Sequence, residues 1–298
     1  MDNSIISTSN LTKFYGNKRG IISVNLNVLK GEVFGFLGPN GAGKTTTIRL
    51  LMDFIRPSGG KALIFGMDSK NDSVAIKKRI GYLPGELHLY ENLTGRSFLR
   101  FMADLKGGVE WDFVNGMADK LKAELNVKIK SLSHGNKQKI SIIAAFMHKP
   151  DLVILDEPTS GLDPLIQLEF HVIISEFKKM GKTVFISSHN LGEVEKICDR
   201  IGVIKEGKLI AIEKVGTLKD QAIRRVEVYF AGPVDQRDFA RIEGVTAIEI
   251  KDKVLNCVVV GSLDQLVKVA AKYQVVDIVS HEPNLEEIFM NYYQGNDN

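Results

Sequence analysis

The fold assignment rests on Gly38-Pro39-Asn40-Gly41-Ala42-Gly43-Lys44-Thr45, which matches the pattern GxxxxGK followed by Ser or Thr. An apolar run at Glu32–Leu37 precedes it and predicts a buried strand, and helical spacing of apolar residues follows it over Thr45–Asp53. Glycines let consecutive backbone N–H groups turn toward phosphate oxygens, and a helix beginning near Lys44 adds the positive end of its dipole. The stretch therefore predicts a nucleoside triphosphate site, with Lys44 at the β- and γ-phosphates and the Thr45 hydroxyl on Mg²⁺.

A second motif supplies two adjacent carboxylates at the end of an apolar run, Leu152-Val153-Ile154-Leu155-Asp156-Glu157-Pro158. A strand that ends at Asp156 places this carboxylate at the edge of a sheet, where it can hold Mg²⁺. Successive strand side chains face opposite ways, so Glu157 does not serve the same ligand from the same side. Because Pro158 breaks the strand, Glu157 is instead a candidate general base for a water in line with the γ-phosphate.

Two further polar elements lie where a phosphate site can use them. Ser133 precedes a predicted helix over Lys137–His148 and is a candidate N-cap, with the helix N-terminus turned toward an anion. His189 follows the apolar run Thr183–Ser187, so we expect it at the carboxyl end of a strand, within hydrogen-bonding reach of a γ-phosphate oxygen.

The order of these segments predicts an α/β fold with a parallel sheet. Short apolar strands at Glu32–Leu37, Asp151–Leu155 and Thr183–Ser187 are separated by helical stretches, including Leu165–Met180. A helix-rich insertion at 94–149 lies between the first two strands. Its first helix carries a stripe that we predict to be core, formed by Phe98, Phe101, Met102 and Leu105.

The pattern changes after Lys214, and residues 225–298 follow the order strand, helix, two strands, helix, strand, helix. This order matches a ferredoxin-like βαββαβ unit with one extra helix. The segment contains no cluster of His, Cys or carboxylate residues, so we expect an accessory domain that regulates the protein or supports its assembly.

Composition excludes several other classes of protein. The 298 residues are 44% hydrophobic and 25% charged, which is ordinary for a globular chain, and the net charge of +3 does not indicate a nucleic-acid partner. Cys198 and Cys257 form no paired motif, which argues against a disulfide framework or a zinc site. The start, Met1-Asp2-Asn3-Ser4, has no signal-peptide pattern, and the apolar run Ile140–Met147 is too short to cross a bilayer. We therefore expect a soluble chain that reaches a membrane only through a partner.

At this point the chain resembles the ATP-binding subunits of ATP-binding-cassette (ABC) transporters, over about residues 4–215. Motifs occur in the order of that family: Tyr15 as the aromatic residue on adenine, Gly38–Thr45 as Walker A, Leu132–Asn136 as signature, Leu152–Asp156 as Walker B with Glu157 as catalytic glutamate, Ser160–Asp163 as D-loop, and His189 as switch histidine.

The resemblance implies a P-loop ABC ATPase domain at 1–215, with a mixed sheet core and a helical subdomain at about 94–149. A linker at 216–224 and a small C-terminal α+β ferredoxin-like domain at 225–298 would follow. It also implies Lys44, Glu157 and His189 as catalytic residues, and Thr45 and Asp156 as the ligands of Mg²⁺. The implied nucleotide contacts are Tyr15, Gly38, Pro39, Asn40, Gly41, Ala42, Gly43, Lys44, Thr45, Thr46, Ser133, Gly135 and Asp163.

In this family two ATP-binding subunits, identical or different, close head to tail around ATP and Mg²⁺. Ser133 and Gly135 then contact the γ-phosphate that the partner chain binds. Hydrolysis drives a separate transmembrane permease, so the resemblance implies a cytoplasmic subunit on the inner face of the membrane. It implies no nucleic-acid partner and no metal other than the Mg²⁺ bound with ATP. Single-cassette subunits with a similar C-terminal extension serve export, often of antibiotics or peptides, although the transported substrate is not readable from this chain.

Two departures from the family pattern stand out. Gly85 replaces the Gln that follows the Tyr82–Pro84 strand, so either Glu86 takes over its role or coupling to the permease runs differently. The signature has His134 and Asn136 where Gly and Gln are commoner. Apolar residues around Tyr90 and Phe98 form either a permease-docking surface or ordinary core.

Two other functions stay open at this stage. One is a soluble ABC ATPase in translation, repair or cofactor assembly, although those proteins usually carry two cassettes or long insertions that this chain lacks. The other is an ATP-gated regulatory subunit with little turnover, in which the altered Gly85 and signature make ATP a structural ligand. The presence of both Asp156 and Glu157 argues for turnover.

Overall fold

The computed structural model describes residues 3–220 and 223–281, and these divide into two compact units, one ending at Glu213 and one beginning at Lys214. The strands of the first unit are β1 (Ser4–Tyr15), β2 (Lys18–Val24), β3 (Asn27–Leu29), β4 (Val33–Leu37), β5 (Gly59–Ile64), β6 (Met67–Asp68), β7 (Ile80–Leu83), β8 (Leu152–Asp156), β9 (Thr183–Ser188), β10 (Arg200–Lys205) and β11 (Lys208–Lys214). Its helices are α1 (Lys44–Leu51), α2 (Ser73–Lys78), α3 (Gly95–Leu105), α4 (Trp111–Lys120), α5 (His134–Phe146), α6 (Pro164–Lys179) and α7 (Leu191–Ile197), with a 3₁₀ turn at Ile129–Ser131.

The central sheet has the strand order β11-β10-β4-β9-β8-β7, and its pairs from β10 to β7 are parallel. Strands β4 and β8 are buried along their whole length. Continuous apolar strands of this kind are typical of a parallel sheet covered on both faces, so the three predicted core strands are confirmed.

A second sheet, which the apolar runs did not predict, is antiparallel and has the order β2-β1-β5-β6, with β3 also paired to β1. One apolar core joins the two sheets and includes Ile6 of β1, Phe36 of β4 and Ile48 of α1. The predicted mixed sheet core is therefore correct. The parallel part carries the loops that matter for function, because ligand sites of such sheets lie at the carboxyl ends of the strands.

The insertion at 94–149 is helical as predicted and contains α3, α4 and α5. Helix α3 begins at Thr94, whose hydroxyl accepts a hydrogen bond from Ser97 N. The predicted core stripe on α3 is only partly correct. Phe98 is buried, but Phe101 is 41% exposed and Leu105 66% exposed. The buried face of α3 includes Leu99 and Ala103 instead, and the Phe101 ring pairs with that of Tyr90, with ring centroids 5.5 Å apart.

The second unit contains α8 (Val215–Asp220), β12 (Ile223–Phe230), α9 (Gln236–Phe239), β13 (Val245–Lys251), β14 (Val254–Val260), α10 (Asp264–Ala270) and β15 (Val275–His281). Its sheet is antiparallel with the order β13-β14-β12-β15, which is the ferredoxin-like arrangement predicted. Most of the predicted linker at 216–224 belongs to α8 and β12 instead. The extra helix predicted after residue 281 lies outside the described residues.

A half-buried histidine makes the stability of the first unit depend on pH. His148 follows α5, and its Nε2 lies 3.2 Å from the Ile80 carbonyl oxygen. Within the described part of the chain its buried Nδ1 has no hydrogen-bond partner. Burial, with Lys106 nearby, lowers the pKa of His148 from 6.5 to about 4. The unfolded chain therefore binds more protons between those two values, and the free energy of unfolding falls as the pH drops through that interval.

We expect His148→Gln to reduce this loss of stability between pH 6.5 and 4, measured by denaturant unfolding at several pH values. The matched control is His88→Gln, because the His88 side chain is 88% exposed and should leave the pH dependence unchanged. An identical pH dependence for His148→Gln and the unmodified chain would contradict the assignment.

Candidate functional site

The loop Gly38–Thr45 connects β4 to α1, as predicted, and three of its positions require glycine. Gly41 and Gly43 have φ of 79° and 111°, in the left-handed region that glycine favours. A Cβ added at Gly38 would lie 2.4 Å from the Ile204 carbonyl oxygen. Since Gly43 has no side chain to cap α1, the first N–H groups of the helix face the loop. The backbone of this loop is therefore shaped to surround an anion.

Lys44 is 6% exposed and lies beneath this loop. Its Nζ donates to the carbonyl oxygens of Gly38 at 2.6 Å and Pro39 at 3.2 Å. The same Nζ is 3.2 Å from Oε1 of Glu157. The cation thus links the loop to the end of β8.

Asp156 ends β8 and is 1% exposed. Its Oδ2 accepts a hydrogen bond from the Thr45 hydroxyl at 2.8 Å, and its Oδ1 accepts one from the Ser187 hydroxyl. The two proposed Mg²⁺ ligands, Thr45 and Asp156, therefore meet although they are far apart in sequence. Hydrogen bonds from two hydroxyls keep the buried carboxylate satisfied.

Glu157 turns away from the direction of Asp156. Its φ is 51°, so the chain leaves the strand there, and its backbone N–H donates to the Ser187 carbonyl oxygen at 3.2 Å. Its Oε2 is 2.8 Å from Nδ1 of His189, which follows β9. The Gln138 side chain supports the turn by donating to the Pro158 carbonyl oxygen at 2.7 Å. Because Pro158 stops the strand, the two adjacent carboxylates face different neighbours.

Two clefts adjoin these groups. One of about 220 Å³ is lined by Tyr15, Arg19, Gly20, Pro39, Asn40, Gly41, Gly43, Lys44, Thr45, Thr46 and Glu157. A larger one of about 530 Å³ is lined by Asn40, Thr45, Arg49, Phe54, Tyr82, Pro84, Gly85, Glu86, His88, Asp156, Glu157, Ser160 and His189. The structure thus brings together most of the predicted site residues around one loop.

Tyr15 ends β1 and is 45% exposed beside the first cleft, which leaves its ring available for stacking. Lys13 Nζ lies 5.3 Å from the centre of this ring. Arg19 lines the same cleft and pairs with Glu206 at 3.1 Å. Sequence reasoning missed Arg19, because a single basic residue on an edge strand carries no local pattern.

Gly85 lies directly beside the buried carboxylate. A Cβ added at Gly85 would lie 3.2 Å from Asp156 Oδ2, so a larger residue there would place its side chain against this group. The Glu86 side chain is 83% exposed, and its Oε2 lies 4.0 Å from Nε2 of His88. In this conformation Glu86 does not take the place of the missing Gln at Asp156.

The signature residues lie apart from both clefts. Ser133 caps α5 as predicted, and its hydroxyl accepts from Asn136 N at 3.3 Å. Gly135 packs so closely on the D-loop that an added Cβ would lie 2.8 Å from the Gly161 carbonyl oxygen. Asp163 caps α6 through Ile166 N at 3.0 Å. Neither cleft is lined by Ser133, Gly135 or Asp163.

Ser187 is a supporting residue that sequence reasoning did not single out, although a polar residue at the carboxyl end of a buried strand was the available signal. It is fully buried, donates to Asp156 and accepts from Glu157 N at 3.2 Å. Removal of its hydroxyl leaves a buried carboxylate oxygen without a donor, which costs about 1–3 kcal/mol.

We therefore expect Ser187→Ala to lower the free energy of unfolding by about 1–3 kcal/mol, measured by denaturant titration. Ser141→Ala is the matched control. Ser141 is also buried, but its hydroxyl donates to the Lys137 carbonyl oxygen of its own helix, so its loss leaves no carboxylate without a donor and should cost less than loss of the Ser187 hydroxyl. Equal losses for the two variants would show that Ser187 does not support the carboxylates.

Comparison with known proteins gives the same family as the resemblance found in the sequence. The ABC transporter family model matches residues 21–160, which include the glycine loop and both carboxylates. The bacitracin transport ATP-binding protein BcrA of Bacillus licheniformis is 40% identical over 70% of this chain and 69% of its own length. The linearmycin resistance ATP-binding protein LnrL of Bacillus subtilis (strain 168) is 34% identical over 96% of this chain and 97% of its own.

A solved structure of an ATP-binding subunit of an ABC transporter covers 73% of this chain with a TM-score of 0.67 and 29% identity. Some curated relatives are longer, and the chain spans 39% of the length of two of those it matches. Similarity over nearly the whole of LnrL, together with the match to the family model, is sufficient to assign the family. The chain belongs to the ABC transporter family, as one of its ATP-binding proteins.

Proposed function

We propose that this chain is the ATP-hydrolysing motor subunit of an ABC transporter, which dimerises around ATP and Mg²⁺ and drives export through a separate membrane permease. One observation carries the proposal. The two carboxylates at the end of β8 are divided between two tasks, with Asp156 on the Thr45 hydroxyl and Glu157 between Lys44 and His189.

The glycine loop and Lys44 bind the phosphates. N–H groups of the loop and of the first turn of α1 donate to phosphate oxygens, and Tyr15 stacks on the base. Lys44 at present pairs with Glu157 at 3.2 Å. An arriving triphosphate exchanges this pair for Lys44–phosphate contacts and frees the Glu157 carboxylate for the reaction.

The residues present fit Mg²⁺. A hydroxyl and a carboxylate oxygen 2.8 Å apart are the hard oxygen donors that this ion prefers, and Gly85 leaves the Asp156 carboxylate open on one side. Thr45 and Asp156 would hold the ion. When bound, Mg²⁺ neutralises charge on the β- and γ-phosphates.

Glu157 is the general base in this proposal and takes the proton of the attacking water. An ionised carboxylate only accepts hydrogen bonds, so the bond of 2.8 Å to His189 places a proton on Nδ1. Nε2 is then the ring nitrogen that faces a γ-phosphate oxygen. The pair thereby holds the base and a phosphate contact in one fixed orientation.

A second chain completes the site. Ser133 and Gly135 lie apart from the clefts around Lys44 of their own chain. The N-terminus of α5, which carries the signature residues, therefore serves the γ-phosphate bound by a partner chain. In this proposal Asp163 lies at the same interface between the two chains. ATP is then the ligand that favours the closed dimer, and hydrolysis reopens it.

The names of relatives support transport out of the cell, since one describes bacitracin transport and one linearmycin resistance. No helix within residues 3–220 or 223–281 combines the length and apolar character needed to cross a bilayer. We place the chain in the cytoplasm, on the inner face of the membrane, held by its permease. Tyr90 and Phe101, which are 57% and 41% exposed, offer the permease an aromatic surface. The C-terminal unit serves assembly or regulation.

Replacement of Glu157 by Gln tests the assignment. We expect steady-state phosphate release to fall at least 100-fold while ATP affinity stays within about twofold, because the amide keeps its size but takes no proton. An ATP-dependent dimer should accumulate, visible by size-exclusion chromatography. Lys44→Ala is the control that loses both affinity and turnover. Unchanged hydrolysis by Glu157→Gln would remove this residue from the chemistry.

Partner assignment is tested separately, by co-expression with a membrane protein encoded beside this chain and purification from detergent. We expect the two to co-purify and the ATPase rate to change when the permease is present. A chain that hydrolyses ATP but retains no membrane protein would favour a non-transport role.

A further inference from the structure

The Glu193 carboxyl, in the first turn of α7, is buried beside the site although the mechanism above does not use it. Glu193 is 8% exposed. Its Oε2 accepts from the Ser188 hydroxyl at 3.0 Å, whereas its buried Oε1 has no hydrogen-bond partner among the described residues. A buried carboxyl with an unpaired oxygen costs stability, so its presence calls for a functional explanation.

The helix that carries Glu193 is anchored on the central sheet. Gly35 of β4 leaves room for it, since a Cβ added there would lie 2.3 Å from Val194 Cγ1 and 3.0 Å from Cys198 Sγ. Such close packing leaves α7 little freedom to shift relative to β4. Because β4 leads directly into the glycine loop, α7 is a rigid support at the edge of the nucleotide site.

Both neighbours of His189 are bound to Glu193. The Ser188 hydroxyl donates to its carboxyl, and the Asn190 side chain accepts from its backbone N–H at 3.3 Å. Asn190 N in turn donates to the Ser188 hydroxyl at 3.0 Å. The turn that presents His189 is therefore attached on both sides to a single residue of α7.

Glu193 also contacts the loop that follows the other carboxylate. The Thr159 side chain lies beside the Glu193 carboxyl, where it lowers the pKa of that group, and Thr159 lies two residues after Glu157. One side chain thus joins the turn of His189 to the loop of Glu157, and these two residues are themselves 2.8 Å apart. The Glu193 carboxyl thus supports the two segments that carry Glu157 and His189.

The surroundings of this carboxyl favour its neutral form. Burial raises the pKa of Glu193, and the negative charge of Glu157 acts in the same direction, against the Thr159 side chain, the hydrogen bond from Ser188 and the nearby His189. Glutamine keeps the length of this side chain and one acceptor oxygen for the Ser188 hydroxyl, without the charge. Gln is therefore the conservative replacement at this position.

We propose that Glu193 is a positioning residue for ATP hydrolysis, which holds the His189 turn and the loop after Glu157 in register on a helix anchored to β4. This inference rests on the roles proposed above for Glu157 and His189. Misplacement of a reacting group by about 1 Å can cost about 100-fold in rate, so loss of this support should appear in kcat.

Three variants of the full chain test this role: Glu193→Leu, Glu193→Gln and the exposed control Lys196→Gln on the same helix. For Glu193→Leu we expect kcat to fall at least about 10-fold, with KM and the ATP dissociation constant within about twofold. Its Tm should change little, because removal of the unpaired buried oxygen offsets loss of the acceptor for the Ser188 hydroxyl. Glu193→Gln should keep kcat within about threefold, and Lys196→Gln should match the unmodified chain.

Ser188→Ala breaks this support while leaving Glu193 in place, so it should lower kcat in the same direction if Glu193→Leu fails to fold. Wild-type kcat in both Glu193→Leu and Ser188→Ala would overturn the role of Glu193 and leave the proposed function intact. If Glu193→Leu and Glu193→Gln lost kcat to the same extent and lost Tm to the same extent, the role of Glu193 would be structural only. An unmodified chain no faster than Lys44→Ala would instead overturn the proposed function, and the positioning role with it.

Discussion

The parallel pairing of β4, β9 and β8 is the constraint on which the site depends. Ser188 lies opposite Leu37, the last residue before the glycine loop, and Ser187 lies opposite Asp156. Parallel strands end at one edge of a sheet, so this register brings the loop, the carboxylates and the turn of His189 together. Each group then needs only short chain segments to reach a common ligand.

The same edge concentrates buried polar groups at the expense of stability. Asp156 ends β8, Ser187 and Ser188 end β9, and Glu193 lies beside them in α7; all four are 8% exposed or less. Hydrogen bonds from hydroxyls satisfy both oxygens of Asp156 and one oxygen of Glu193, whereas Glu193 Oε1 has no hydrogen-bond partner among the described residues. Such groups persist where function needs them, because an apolar replacement would often be more stable.

Sequence patterns predicted the features that depend on residues close together in the chain and missed contacts between distant segments. The buried strand, glycine loop and helix were predictable, since β4 and α1 follow from apolar periodicity and the GxxxxGK pattern. The contact of Ser187 with Asp156 joins two strands and depends on strand order, which no local pattern encodes. The apolar stripe at Phe101 and Leu105 misled for the same reason, since helical spacing does not say which side of α3 the rest of the unit covers.

The central claim is that the edge formed by β4, β9 and β8 grips a triphosphate through the Lys44 loop and a metal held by Thr45 and Asp156. Titration calorimetry of the full chain with ATP, in excess Mg²⁺ and then in excess EDTA, tests it most directly. The account predicts saturable binding that weakens at least about tenfold without the metal. The account would be contradicted if no binding were detected at millimolar ATP with Mg²⁺, or if the affinity were the same with and without the metal.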